Sequence, residues 1–185
     1  MRYKQLLHLF LLGIFLLIPS SYAKELTDAH HPVNHTIIHT VDGKSIDVDL
    51  IQKGLHFKGL EDKIVLLEFF GHSCPPCRAS IPGYNKLQKK YPDDVVVIAI
   101  ESWGMNKEKL KHYVKERNMV YEVVPTTDAG KVFKFVKELT GWSPNYGVPY
   151  LMLFAPGGAL SKTLPPQRLN ESYVESLIEE IRKKQ

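Results

Sequence analysis

Cysteine is nearly absent from this chain: only two occur in 185 residues, Cys74 and Cys77. A disulfide-stapled scaffold needs several spaced pairs, so that class is excluded. A bridge between positions three apart closes too small a loop to constrain an unfolded chain much. The pair therefore points to chemistry rather than architecture. A structural zinc site takes four ligands, and two cysteines supply half of them. Long apolar runs are also missing. The longest, Leu6 to Ile18, is interrupted by His8 and Gly13 and falls short of the roughly 20 residues of a spanning helix. Charge of one sign is not concentrated anywhere. The net charge is only +4 and the signs are interspersed, which argues against nucleic acid as a partner. There is no internal repeat and no long low-complexity run.

What is present fits one globular domain behind a short leader. Hydrophobic residues make up 44% and charged residues 24%, enough for an ordinary core. Residues 1–23 read as a secretory signal peptide. Arg2 and Lys4 give a positive start, the apolar run follows, and Pro19 breaks it. Ser21-Tyr22-Ala23 places small residues where a signal peptidase reads. Cleavage after Ala23 would lower the net charge from +4 to +2, since Arg2 and Lys4 leave. The alternative is a membrane anchor over residues 6–18. No cysteine lies near residue 23, so a lipid anchor there is excluded. Residues 24–35 are polar and read as a flexible lead-in, and residues 36–185 as the domain.

Within the domain, Thr36 to Val41 and Ser45 to Leu50 are β-branched runs around Asp42-Gly43, a hairpin signal. Ile64 to Phe70 and Val95 to Ile100 are almost wholly apolar and read as buried strands. Pro75 to Tyr91 reads as a helix burying Ile81, Tyr84 and Leu87. Asn106 caps a helix over Lys107 to Arg117. Tyr121 to Val124 reads as a short strand. Lys131 to Thr140 forms a helix with Val132, Phe133, Val136 and Leu139 inward, stopped by Gly141. Tyr150 to Phe154 and Ala159 to Leu164 pair around Pro156-Gly157-Gly158. Asn170 caps a last helix lined by Val174, Leu177, Ile178 and Ile181. Strands alternating with helices and ending in an antiparallel pair indicate an α/β sandwich.

Cys74-Pro75-Pro76-Cys77 falls between the end of a strand and the start of a helix. The thiolate is the reactive form of cysteine. A helix N-terminus, with free N–H groups and a positive dipole end, stabilises that anion. Cys74 is expected to be the exposed nucleophile and Cys77, one turn inside, the shielded resolving thiol. Neither proline can donate to the Cys74 sulfur, which leaves the Cys77 amide as the nearest donor.

These residues resemble the thioredoxin-like proteins, and within them the exported TlpA/ResA type. Glu68 lies six residues before Cys74, where thioredoxins bury an acid. Pro82 lies eight residues after Cys74, and Gly147-Val148-Pro149 precedes an apolar strand. The resemblance implies a thioredoxin-like three-layer sandwich with an N-terminal β-hairpin and a central helical insert. It implies a cis peptide before Pro149, and substrate contacts at Pro75, Pro76 and Val148. It implies a thiol–disulfide oxidoreductase with no cofactor beyond the Cys74–Cys77 disulfide and no metal, acting on protein thiols and disulfides. A reductase direction, a role in cytochrome c maturation and recharging by a membrane thiol transporter go with that type.

The chain departs from the pattern in two places. Ser73 stands where thioredoxins carry Trp, and no lysine-like partner for Glu68 occurs in the Val95–Ile100 run. Glu68 then sits in an apolar setting with a raised pKa, suited to carrying a proton for Cys77; the other reading is an acid satisfied by a neighbouring donor. The string EFFGHSCPPC is similar to DsbA-type oxidases, which leaves the oxidative direction open. Sco-type copper proteins share the fold but separate their cysteines by three residues, against two here. His72 reads first as a surface histidine, with thiolate tuning as the alternative. His30, His31, His35 and His39 read as solvated residues, with metal binding the alternative. Trp142 and Tyr146 read either as a partner groove or as packing.

Overall fold

The computed structural model describes residues 34–165 and 170–184. The leader and nearly all of the lead-in, with His30 and His31, lie outside the described residues. Among the described residues, no helix is long and apolar enough to cross a membrane.

Strands β1 (His35–His39), β2 (Ser45–Ile51) and β3 (Gly54–Phe57) form an antiparallel sheet in the order β1-β2-β3. The turn at Asp42-Gly43 closes it: the Gly43 amide donates to the Thr40 carbonyl, and Gly43 takes φ +87°. His35, assigned above to the lead-in, is the first residue of β1. The second sheet has five strands in the order β6-β5-β4-β7-β8. These are β4 (Ile64–Phe70), β5 (Val95–Glu101), β6 (Glu122–Val124), β7 (Tyr150–Phe154) and β8 (Leu160–Leu164). β4 pairs with β5 in parallel and with β7 antiparallel. All seven residues of β4 are buried, as expected of a central strand covered on both faces.

Among the described residues, four helices cover the sheet: α1 (Pro75–Lys90), α2 (Lys107–Glu116), α3 (Gly130–Thr140) and α4 (Glu171–Arg182). The pleat of β4 sends alternate side chains to opposite layers. Phe69 meets Phe133 of α3, Trp142 and Tyr150 on one face. Phe70 stacks on Tyr113 of α2 on the other. Helix α4 lies against α1, where Tyr91 donates to Glu175 and Glu179. The small sheet joins the α3 face through Phe57 against Phe154. The fold is thus the expected thioredoxin-like sandwich, with Asn106 and Asn170 capping α2 and α4. In α3 the inward set is Val132, Phe135 and Val136, with Phe133 and Leu139 only partly buried. The central insert is α2 followed by β6, and β6 pairs in parallel with β5, so the insert also extends the sheet.

Strand β3 crosses the turn before β8 at backbone distance. A Cβ on Gly158 would sit 2.3 Å from the Leu55 carbonyl oxygen, and Gly158 holds φ +85°. Gly158→Ala is therefore expected to destabilise the protein by about 2–3 kcal/mol. A lower urea midpoint at unchanged m-value would show it; an unchanged midpoint would mean that the two backbones separate freely.

Candidate active site

The site begins where β4 ends. Gly71 starts a tight turn in which the Cys74 amide donates to the Gly71 carbonyl at 3.0 Å. Cys74 then caps α1 in extended conformation, with Pro75 at the first helical position. A proline is harmless there because its missing N–H would have been unpaired. Pro82 lies inside the same helix, so the Arg78 carbonyl lacks its usual intrahelical partner.

Cys74 and Cys77 form a disulfide with Cα atoms 5.3 Å apart. The Cys77 amide lies 3.3 Å from the Cys74 sulfur, the donor expected from the two-proline motif. Across the site, the Val148 carbonyl oxygen lies 3.6 Å from the same sulfur. The Val148–Pro149 peptide is cis. Cys74 is not exposed as expected: only 3% of its surface is accessible. The Val148 loop closes over it, so a partner must approach past exposed Pro75 and Pro76 and the rim of Val148. Trp142 is packing rather than groove. It is buried, stacks on Tyr150 at 4.5 Å between centroids and donates to the Gly147 carbonyl. Tyr146, on the same loop, is 73% exposed.

Glu68 lies in mid-β4, opposite Ala99 and Leu151, and is 1% exposed. Burial pushes its carboxyl up to about 8, although the nearby Tyr84 hydroxyl opposes part of the rise. That hydroxyl lies off the geometry of a direct hydrogen bond. Glu68 Oε1 and the hydroxyls of Tyr84, Tyr113 and Tyr121 are all buried without a hydrogen-bond partner among the described residues. Burial pushes the three phenols up as well. The acid therefore keeps its proton for the most part at pH 7 and lies near three phenols that keep theirs. The expected apolar setting is present, but the ring of tyrosines was missed. Tyr84 was legible only as a core residue, because helical spacing marks burial and not what the hydroxyl faces.

A second acid was missed altogether. Glu101, the last residue of β5, is 0% exposed. His72 Nδ1 donates to its Oε1 at 2.8 Å. The Trp103 amide donates to Oε1 and the Met105 amide to Oε2, with the Thr126 hydroxyl also within 3.1 Å of Oε2. Burial pushes Glu101 up, but these bonds outweigh it and hold the carboxyl below its usual range. His72 is thus not a plain surface histidine. It joins the active-site turn to the end of β5.

His35 pairs with Asp49 across the small sheet, and His39 with Asp128 in the turn before α3. Among the described residues, no group of three or more His, Cys, Asp or Glu side chains is placed to hold a metal ion.

The chain that carries this CxxC pair at a helix start is similar to known proteins. The family model described as thioredoxin-like matches residues 62–160, more than half of the chain. The chain belongs to the thioredoxin-like family. It is 36% identical over 84 residues to chloroplastic thioredoxin F2 of Arabidopsis thaliana, a match covering 45% of this chain and 42% of that protein. It is 32% identical over 75 residues to the thiol-disulfide oxidoreductase ResA of Bacillus cereus, covering 40% of this chain and 43% of that protein. The chain therefore spans less than half the length of these curated relatives. A crystal structure of a thiol:disulfide interchange protein from Chlorobium tepidum superposes with a TM-score of 0.61 at 22% identity. That match covers 83% of this chain and 98% of the other, and at such identity it speaks for the fold alone.

Proposed function

We propose that this protein is an exported thiol–disulfide oxidoreductase that reduces disulfides in protein partners through Cys74 and Cys77. Cys74 attacks a partner disulfide and forms a mixed disulfide. Cys77 then displaces the partner as a dithiol, leaving the Cys74–Cys77 disulfide. Glu68 takes the Cys77 proton in that second step through the ionised minority of its carboxyl, which burial pushes up only to about 8. Pro149 and Val148 frame the partner's approach, with Pro75 and Pro76 on the opposite rim. The leader 1–23 directs export, and a membrane thiol transporter returns the pair to the dithiol. Cytochrome c maturation is the setting in which such a reductant would serve.

The observation that carries the reductive direction is the poor provision for a Cys74 thiolate. One amide reaches the sulfur where a motif without prolines could offer more, and a carbonyl oxygen faces it at 3.6 Å. A pair whose reduced form is weakly stabilised is a reductant.

The test is the reduction potential, by equilibration against dithiothreitol and glutathione. A value near that of thioredoxin, about −270 mV, is expected. A value near that of DsbA, about −120 mV, would make the protein a disulfide donor and overturn this direction.

A further inference from the structure

His72 is two residues before Cys74, on the turn that delivers it to the helix. Its ring is held from two sides. Glu101 accepts from Nδ1 at 2.8 Å, and Trp103 meets the ring edge-on with centroids 6.0 Å apart. Trp103 in turn lies so close over Gly71 that a Cβ there would come within 2.4 Å of the indole. A carboxylate can only accept, so Nδ1 carries the hydrogen in this bond. The second nitrogen, Nε2, has no hydrogen-bond or ion-pair partner among the described residues, and the side chain keeps 29% of its surface open. A carboxylate that fixes the tautomer and leaves the far nitrogen free prepares a histidine to gain and lose charge in place.

The helix N-terminus beside it is short of donors. Pro75 and Pro76 remove two N–H groups, and the Cys77 amide alone reaches the Cys74 sulfur. We propose that His72, held by Glu101, is the positioning residue that supplies this missing stabilisation: its charged form favours the Cys74 thiolate. The proposal rests on Cys74 being the attacking thiol. The other titratable or charged groups on the elements that meet here are Glu68 on β4, Arg78 in the first turn of α1, Tyr113 on α2 and Glu101 itself, whose negative charge opposes a thiolate and is offset when His72 is charged. Tyr113 feels Glu68, Glu101 and Arg78 alike. A cation near the sulfur lowers a thiol pKa. The effect expected here is about tenfold in thiolate fraction. Tenfold in the exchange equilibrium is about 30 mV, well short of the gap between thioredoxin and DsbA, so the reductive direction survives it.

The experiment is the rate of iodoacetamide alkylation of the reduced protein from pH 4 to 10, with the modified cysteine mapped by mass spectrometry. Three proteins are compared: wild type, His72→Asn and His72→Lys. Asparagine keeps an amide donor for Glu101 but cannot take a charge. Lysine carries a constant charge. Wild type should show two ionisations, the His72→Asn variant one, with about tenfold slower alkylation at pH 7 and a more negative reduction potential. The His72→Lys variant should recover the fast rate without the second ionisation. Superimposable profiles for wild type and His72→Asn would overturn the proposal and leave His72 as a donor to Glu101 only. Should His72→Asn fail to fold, the lysine profile decides alone: a retained second ionisation would overturn it. Alkylation falling first on Cys77 in wild type would instead remove the assignment of Cys74 as the attacking thiol, and the proposal with it.

Discussion

Cys77→Ser is expected to arrest the protein as a mixed disulfide with whatever protein disulfide it attacks. Cys74 would still be activated by the helix start and the Cys77-position amide, which a serine backbone retains. The second displacement would have no thiol to perform it. Turnover in an insulin-reduction assay should then fall to the uncatalysed rate, while a disulfide-linked complex accumulates on non-reducing gels. Cys74→Ser should lose turnover equally but form no such complex. The asymmetry follows from placement. Both sulfurs are buried alike, but Cys74 caps the helix at the rim formed by Pro75, Pro76 and Val148, and Cys77 lies one turn inside. A complex that formed through Cys77 in the Cys74→Ser protein would show that the roles are reversed.

Glu68→Gln should change both the stability profile and the second chemical step. In the folded protein burial pushes the Glu68 carboxyl up to about 8, against 4.5 when solvated. Below pH 4.5 the acid is protonated in both states and contributes no pH dependence. Between 4.5 and 8 the unfolded chain releases this proton and the folded chain keeps it. Stability therefore falls as pH rises through that window and levels off above it. At about 1.4 kcal/mol per pH unit, the loss is on the order of 5 kcal/mol. Glutamine is close in shape and never ionises, so the variant should lack this decline and gain several kcal/mol over wild type at pH 8. Urea unfolding of the oxidised proteins at pH 5 and pH 8 measures it, with the cysteines unable to titrate. Decay of the mixed disulfide, followed by rapid quench, should slow by roughly a hundredfold in the variant, the lower range for loss of a general base. Equal slopes of stability against pH in the two proteins would mean that Glu68 is solvated or paired, and would remove it from the proton-carrier role.

These two experiments address residues that were plain in the amino-acid order. The Cys74-Pro75-Pro76-Cys77 spacing, the apolar runs of β4 and β5, the asparagine caps of α2 and α4 and the Asp42-Gly43 turn are all local. Each depends on residues a few positions apart, where side-chain periodicity and turn chemistry act directly. The strand β3 was not legible, because Gly-Leu-His-Phe is short and begins with glycine. It exists through pairing with β2 and through its backbone approach to Gly158.

Within the site, the sequence by itself determined which thiols pair, which acid is buried in the strand before them and which loop faces them. Their burial was decided only by tertiary structure. The Val148 loop, 74 residues away in the chain, closes over Cys74, and the Glu101–His72 bond joins residues 29 apart. Nothing in the local order of a histidine reveals whether a carboxylate will meet it. That depends on where the next strand of the sheet ends, and here β5 ends beside the turn that carries Cys74. Tyr84, Tyr113 and Tyr121 are alike in this respect: their positions on the chain mark them as core, but only the packing of α1 and α2 on β4 brings unpaired hydroxyls around a buried acid.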